Sequence, residues 1–252
     1  MREAFARIGD ALKVTFLGGL SIFRFAPIIP LLVMVPEFVQ HVYEIQSGMF
    51  VSKAAFNAEA MSDTRWLFGY AKIAGLVLAI FAAARFIGGA GTRWWDLRTI
   101  AWRAFLIALA VNVAATMLFE VLAGSSAQDL PLAITFVVQI VLLPLLVYLL
   151  GPLFGDRTMT LRRSYTVGWL AALLIGLLVM LAFAPAQWVH GTNHTLAMGR
   201  PDLIVWALMV WDTLLVGVMA CWMGAALAAG YWLGRPPKPG EQRESPNAAF
   251  AA

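Results

Sequence analysis

The chain has 252 residues, of which 61% are hydrophobic and only 13% charged. With a mean hydropathy of +0.79, it carries more apolar surface than a water-soluble fold of this size can hide. The formal net charge is +4, but Lys and Arg are dispersed at the ends of apolar runs and form no basic stripe with interleaved aromatics, so nucleic acid is not an expected partner.

The first residues, Met1 to Lys13, are charged and amphipathic, and the apolar stretch that follows has no small-residue cleavage pattern. The first span is therefore expected to stay in the mature protein. A spanning helix needs roughly 20 mostly apolar residues, because the hydrocarbon core is about 30 Å thick and each residue rises about 1.5 Å. Six segments meet this requirement: approximately Val14 to Val39, Trp66 to Ala90, Ala104 to Leu122, Pro131 to Phe154, Val167 to Val189 and Leu203 to Leu233. The expected fold is all-α, a polytopic helical bundle, with 1–234 as the transmembrane domain and 235–252 as a proline-rich, disordered cytoplasmic tail.

In the first segment Pro27, Pro30 and Pro36 each remove a backbone donor and should bend the helix, as should Pro144 and Pro152 in the fourth. His41 to Arg65 reads as an outer loop whose Val42, Ile45, Met49, Phe56 and Met61 could cover an interface, and Ser62 and Asp63 suit the N-cap of the second span. Lys72 and Arg85, near the ends of that span, are expected to snorkel to the headgroups. Gly88, Gly89 and Gly91 lack the lysine and strand of a phosphate loop and read as a flexible turn. The sixth segment exceeds one perpendicular crossing and must tilt, bend or project. Its Ala220, Gly224 and Ala228, at spacing four, would let another helix approach closely.

Orientation follows from the cations. With the N-terminus inside, thirteen Lys and Arg fall on inner flanks, concentrated at Arg7 to Lys13, Arg93 to Arg103, Arg157 to Arg163 and the C-terminal tail; only Lys53, Arg65, Lys72 and Arg200 fall outside. The positive-inside rule places both termini in the cytoplasm of a bacterial inner membrane. The first three basic segments each run directly into an apolar span, which suggests three helical hairpins joined by cytoplasmic elbows.

Ionisable residues inside spans are costly in hydrocarbon and normally face a partner or a water-filled cavity. Arg24, Glu120 and Asp212 are such residues, with Asn112, Gln139 and Gln187 as neutral companions. Arg24 and Asp212 reach similar depths near mid-membrane, so an intramembrane ion pair between the first and last spans is expected. His190 and His194, four apart, would share a helical face, and His41 falls on the same outer side; three imidazoles could bind zinc or another transition metal. Gly191 and Asn193 nevertheless favour a loop there. No cofactor and no catalytic residue is expected, because no motif of known mechanism is present. The only cysteine, Cys221, excludes an intrachain disulfide.

The stretch Asp156-Arg-Thr-Met-Thr-Leu-Arg-Arg-Ser-Tyr-Thr-Val-Gly-Trp169, a basic hydroxylated turn before a span, resembles elbows in uncharacterised bacterial YciC-like membrane proteins. The six-span plan is similar to the membrane domain attached to some glycerophosphodiester phosphodiesterases. The resemblance carries no catalytic position and implies envelope residence, not hydrolysis.

The leading functional expectation is a non-enzymatic inner-membrane scaffold, accessory subunit or lipid-associated component, with the bilayer and other membrane subunits as partners. The alternative is a small proton- or cation-coupled transporter using Asp212. A scaffold should seal Asp212 in a dry pair, a transporter should open a polar cavity beside it, and a metal-dependent protein should bring His41, His190 and His194 together.

Overall fold

The computed structural model describes residues 2–90, 93–123 and 132–236. Among them the elements are helical throughout: α1 (Arg2–Lys13), a π-helical turn (Val14–Gly18), α2 (Gly19–Phe25), α3 (Ile28–Gln46), α4 (Lys53–Ala60), α5 (Asp63–Arg85), α6 (Trp102–Ala123), α7 (Leu132–Leu153), α8 (Leu161–Val167), α9 (Trp169–Ala197) and α10 (Asp202–Gly234). Six of these helices are long and apolar enough to cross a membrane, the pattern of a multi-pass membrane protein. The expected tail lies, beyond Pro236, outside the described residues.

The first span differs from expectation. Ala26, forced out of the helical region before Pro27 (φ −146°, ψ 59°), ends α2, and the candidate span is Ile28–Gln46 alone. Pro30 falls in the first turn of α3, where the missing N–H is an orphan anyway, whereas Pro36 lies inside the helix. Arg24 thereby belongs to α2 and lies outside the span. The helix also runs past Val39 to Gln46, so His41 is a helical residue and not part of a loop; Gly48, left-handed at φ +75°, turns the chain away.

By Cα packing the chain forms two compact units, one from Met1–Leu12, Arg85–Val179 and Ala226–Ala252, the other from Lys13–Ala84 and Met180–Ala225. In the first, α6 and α7 pair, and Asn112 donates to Ala108 O (2.9 Å) and across the pair to Leu145 O (3.0 Å). Arg85 does not snorkel. Buried at 4% exposure, it donates to the carbonyls of Leu153, Trp94 and Asp96 and to Thr99 Oγ1. Tyr231 Oη donates to the buried Asp156 (3.0 Å), which also accepts from Thr158.

The second unit is packed at glycines. A side chain at Gly75 of α5 would collide with Leu32 O and Pro36 of α3; one at Gly217 of α10 would meet Met34 of α3 at 2.7 Å; one at Gly224 would meet Ala83 Cβ of α5 at 2.5 Å. The small-residue stripe of the last span thus serves an intramolecular contact at Gly224. Met49 and Phe50 are buried with Ala197, Val205 and Met209, and Phe56 packs against them. The segment after α3 is therefore ordered against the protein, although Met61 is exposed. Gly199, in the α9–α10 turn, ties it further by donating its N–H to Phe50 O.

Candidate functional site: a buried histidine and carboxylate centre

In α3 the polar and apolar faces are inverted relative to a soluble helix. Val33, Glu37, Gln40, His41 and Glu44 recur at helical spacing and are buried, while Leu31, Val35, Phe38 and Val39 are exposed. Apolar side chains outside and charges inside suit a helix whose surroundings are lipid.

The inward stripe meets the rest of the second unit in an antiparallel register. Lys72 of α5 lies 3.3 Å from Glu37, and Arg65, about two turns earlier in the same helix, lies 2.7 Å from Glu44. Lys72 thus serves a buried carboxylate and not the headgroups. The Ser62 hydroxyl caps α5 by accepting from Arg65 N and donates to Glu59, which also accepts from Tyr43 Oη. These two hydroxyls, Ser62 first, hold the Glu59 carboxyl below its ordinary range.

From α9 come His190, Asn193 and His194, all helical, because α9 continues to Ala197. The local preference of Gly191 and Asn193 for a loop is overridden by tertiary contacts: Asn193 Nδ2 donates to Asp212 Oδ1 at 2.7 Å. The other oxygen of Asp212, Oδ2, faces His190 Nδ1 at 2.6 Å, His41 Nε2 at 3.2 Å and His194 Nε2 at 3.5 Å. His41 Nε2 is also 3.2 Å from Glu37, and its Nδ1 is 2.8 Å from Glu44. Gln40 donates to Glu44.

The structure therefore brings together the three histidines and Asp212. The anticipated Arg24–Asp212 pair does not form: Asp212 is fully buried among imidazoles, whereas Arg24 is exposed with its guanidinium over the Phe25 ring. The break before Pro27 is the reason. Glu120 lies in α6, its side chain outside the described residues, and Gln139 and Gln187 are exposed.

Glu37, Gln40, Glu44, Lys72 and Asn193 were not legible as site residues. Their signal was the spacing of Glu37, His41 and Glu44 on one helical face, hidden by ending the span at Val39.

Chemically, three overlapping groups have ligand atoms mutually within 4.8 Å: His41, Glu44 and His194; His190, His194 and Asp212; Glu37, His41 and Asp212. Three buried polar atoms at the centre, Glu37 Oε2, Gln40 Oε1 and His194 Nε2, have no hydrogen-bond partner, although Lys72 Nζ lies 3.3 Å from the first and Asp212 Oδ2 lies 3.5 Å from the last. A cation would find donors here that the protein itself leaves unused. In comparisons with known proteins, no family model, no curated protein and no solved structure matches the chain.

Proposed function

We propose that this is a non-enzymatic, multi-pass membrane protein that binds a divalent transition-metal ion in the histidine and carboxylate centre of its second unit. One observation carries the reading: the ring nitrogens of His41, His190 and His194 converge on a single oxygen of Asp212 in a site with 0% exposure at Asp212. Imidazole-rich donor sets suit zinc, copper, iron or nickel, whereas magnesium and calcium favour oxygen alone.

A scaffold without a ligand would neutralise Asp212 with a dedicated cation, and a transporter would keep a watered path to it. The complete burial of Asp212, beside a His194 Nε2 that makes no hydrogen bond, supports a resident ion over a permeating one. The positive-inside count supports a bacterial inner membrane, cytoplasmic termini and a centre nearer the outer face. Kinship with the YciC-like proteins, resting on 156–169, and association with other membrane subunits belong to the same proposal.

The test is elemental analysis of the protein purified from native membranes in detergent, beside His190→Ala and Asp212→Ala. The wild type is expected to retain a transition metal that both variants lack, and a strong chelator should lower its unfolding temperature. Equal metal content in all three would overturn the reading.

A further inference from the structure

Among the described residues, three overlapping groups of donors converge in this centre, and their contacts tell them apart. Two ligands bonded to one ion at about 2.0–2.2 Å lie about 2.8–3.6 Å from each other, between right-angled and tetrahedral geometry. His190 Nδ1 and Asp212 Oδ2, at 2.6 Å, are closer than that and form a hydrogen bond, which removes the group of His190, His194 and Asp212. The group of His41, Glu44 and His194 loses Glu44, whose Oε1 accepts from Arg65 Nε (2.7 Å) and Gln40 Nε2 (2.8 Å) and whose Oε2 faces His41 Nδ1 at 2.8 Å. Glu37, His41 and Asp212 remain. His41 Nε2 lies 3.2 Å from Glu37 Oε1 and 3.2 Å from Asp212 Oδ2, the ligand atoms of all three lie within 4.8 Å of one another, and all three residues are fully buried.

The hydrogen bonds lead to the same group. An ionised Glu44 can only accept, so the hydrogen of a neutral His41 ring sits on Nδ1, and Nε2 presents a lone pair to two carboxylates. Three acceptors that face one another need a cation between them. A proton on Nε2 is one such cation, but a charged hydrogen bond to a carboxylate measures about 2.7–2.9 Å. Both contacts of His41 Nε2 are longer, equal at 3.2 Å, and inside the range for ligands of one ion. Two further atoms are left without hydrogen bonds: Glu37 Oε2, and His194 Nε2, which belongs to a residue 7% exposed and stops 3.5 Å from Asp212 Oδ2.

The neighbours orient these ligands. Asp212 Oδ1 accepts from Asn193 Nδ2 at 2.7 Å and Oδ2 from His190 Nδ1 at 2.6 Å, which leaves one lone pair of Oδ2 for an ion. Glu44 does the same for the imidazole of His41, as carboxylates do for metal-bound histidines. Charge decides the number of ions. Glu37, Asp212 and a neutral His41 carry two negative charges, which one divalent ion cancels; with Lys72 already 3.3 Å from Glu37, a second ion would bury uncompensated positive charge.

We propose that the centre holds one zinc-class divalent ion on Glu37, His41 and Asp212, with Glu44 and His190 as positioning residues. Three protein ligands leave at least one coordination position for water or another small ligand, and His194 Nε2 is the nearby group free to hydrogen-bond it. The inference rests on the cation-site reading above and narrows it to two carboxylates and one imidazole, so that the ion joins α3 to α10.

The experiment is zinc reloading of the full-length chain in detergent after chelator stripping, read by stoichiometry, by affinity and by X-ray absorption at the zinc edge, which counts bound imidazoles. One Zn²⁺ per chain with one imidazole is expected. Glu44→Gln and His190→Gln should weaken binding about 10- to 100-fold yet keep one ion with one imidazole at saturating zinc. Glu37→Gln should weaken it more than either, and His194→Ala should keep the ion and its single imidazole. Two or three imidazoles, two ions per chain, undiminished binding in Glu37→Gln or loss of the ion in His194→Ala would each overturn the Glu37, His41 and Asp212 site while leaving a cation site standing. A folded, monodisperse wild type that takes up no Zn²⁺ would overturn both readings and leave a proton on His41 as the balancing charge. Because the wild-type stoichiometry and imidazole count carry the main test, failure of a variant to fold does not remove it.

Discussion

His190 Nδ1 lies 2.6 Å from Asp212 Oδ2, although 22 residues separate the two along the chain. The α9–α10 turn folds the second helix back antiparallel, so that a residue seven before Ala197 meets one ten after Asp202. Helix α3 then adds His41 to the same oxygen. Three separate helices thus depend on one carboxylate.

Asp212→Asn removes that common acceptor and sets an amide against Asn193 Nδ2. It is expected to lower unfolding stability in mixed micelles by about 3–5 kcal/mol, the scale of breaking a buried charged contact. Arg24→Gln, at an exposed site, should change it by less than about 0.5 kcal/mol, and the double variant should show no recovery. Recovery would mean that the two side chains do interact.

The Arg65–Glu44 contact is testable by a double-mutant cycle of Arg65→Met and Glu44→Gln. Glu44 is fully buried, but Arg65 keeps 19% exposure, so water screens part of the pair. A coupling energy of about 1 kcal/mol is expected in denaturant unfolding. A cycle that closes at zero would show that the contact contributes only geometry.

Arg85→Lys keeps the charge and loses the fork. Four acceptors now share the guanidinium, at 2.7–3.0 Å, and an ammonium cannot reach all of them. The expected destabilisation is about 2 kcal/mol or more, from carbonyls left without donors. Thermal unfolding of purified protein beside Arg98→Lys, at an exposed position, measures it.

Gly224→Val inserts carbon where the first added atom already lies 2.5 Å from Ala83 Cβ and from Ile80 O. Backbone cannot yield as a flexible side chain does, so a loss of about 1–3 kcal/mol is expected. Gly191→Ala, with open space around it, should leave stability unchanged or raise it. The two melting curves side by side test the packing argument.

Single cysteines in a Cys221→Ser background test the orientation. Ser52→Cys and Arg200→Cys, both exposed, are expected to react with an impermeant maleimide in cells whose outer membrane alone is opened. Arg157→Cys should react only after the inner membrane is breached. The reverse pattern would invert the topology.

Composition and run length determined the membrane environment and the six helical spans, because the need for about 20 apolar residues and the cost of charge in lipid are local properties of a segment. They also placed Asp212 as a buried charge and His190 and His194 on one potential face. Where the helices end was less legible: the steric restriction that Pro27 places on Ala26 ended α2 early and removed Arg24 from the span, while α3 and α9 continued through residues that local preference assigns to loops. The partners of Asp212 were decided only by tertiary structure. They follow from which helices touch and in what register, and that register is set by close approach at Gly75 and Gly217, a contact between residues far apart in the chain that no local pattern encodes.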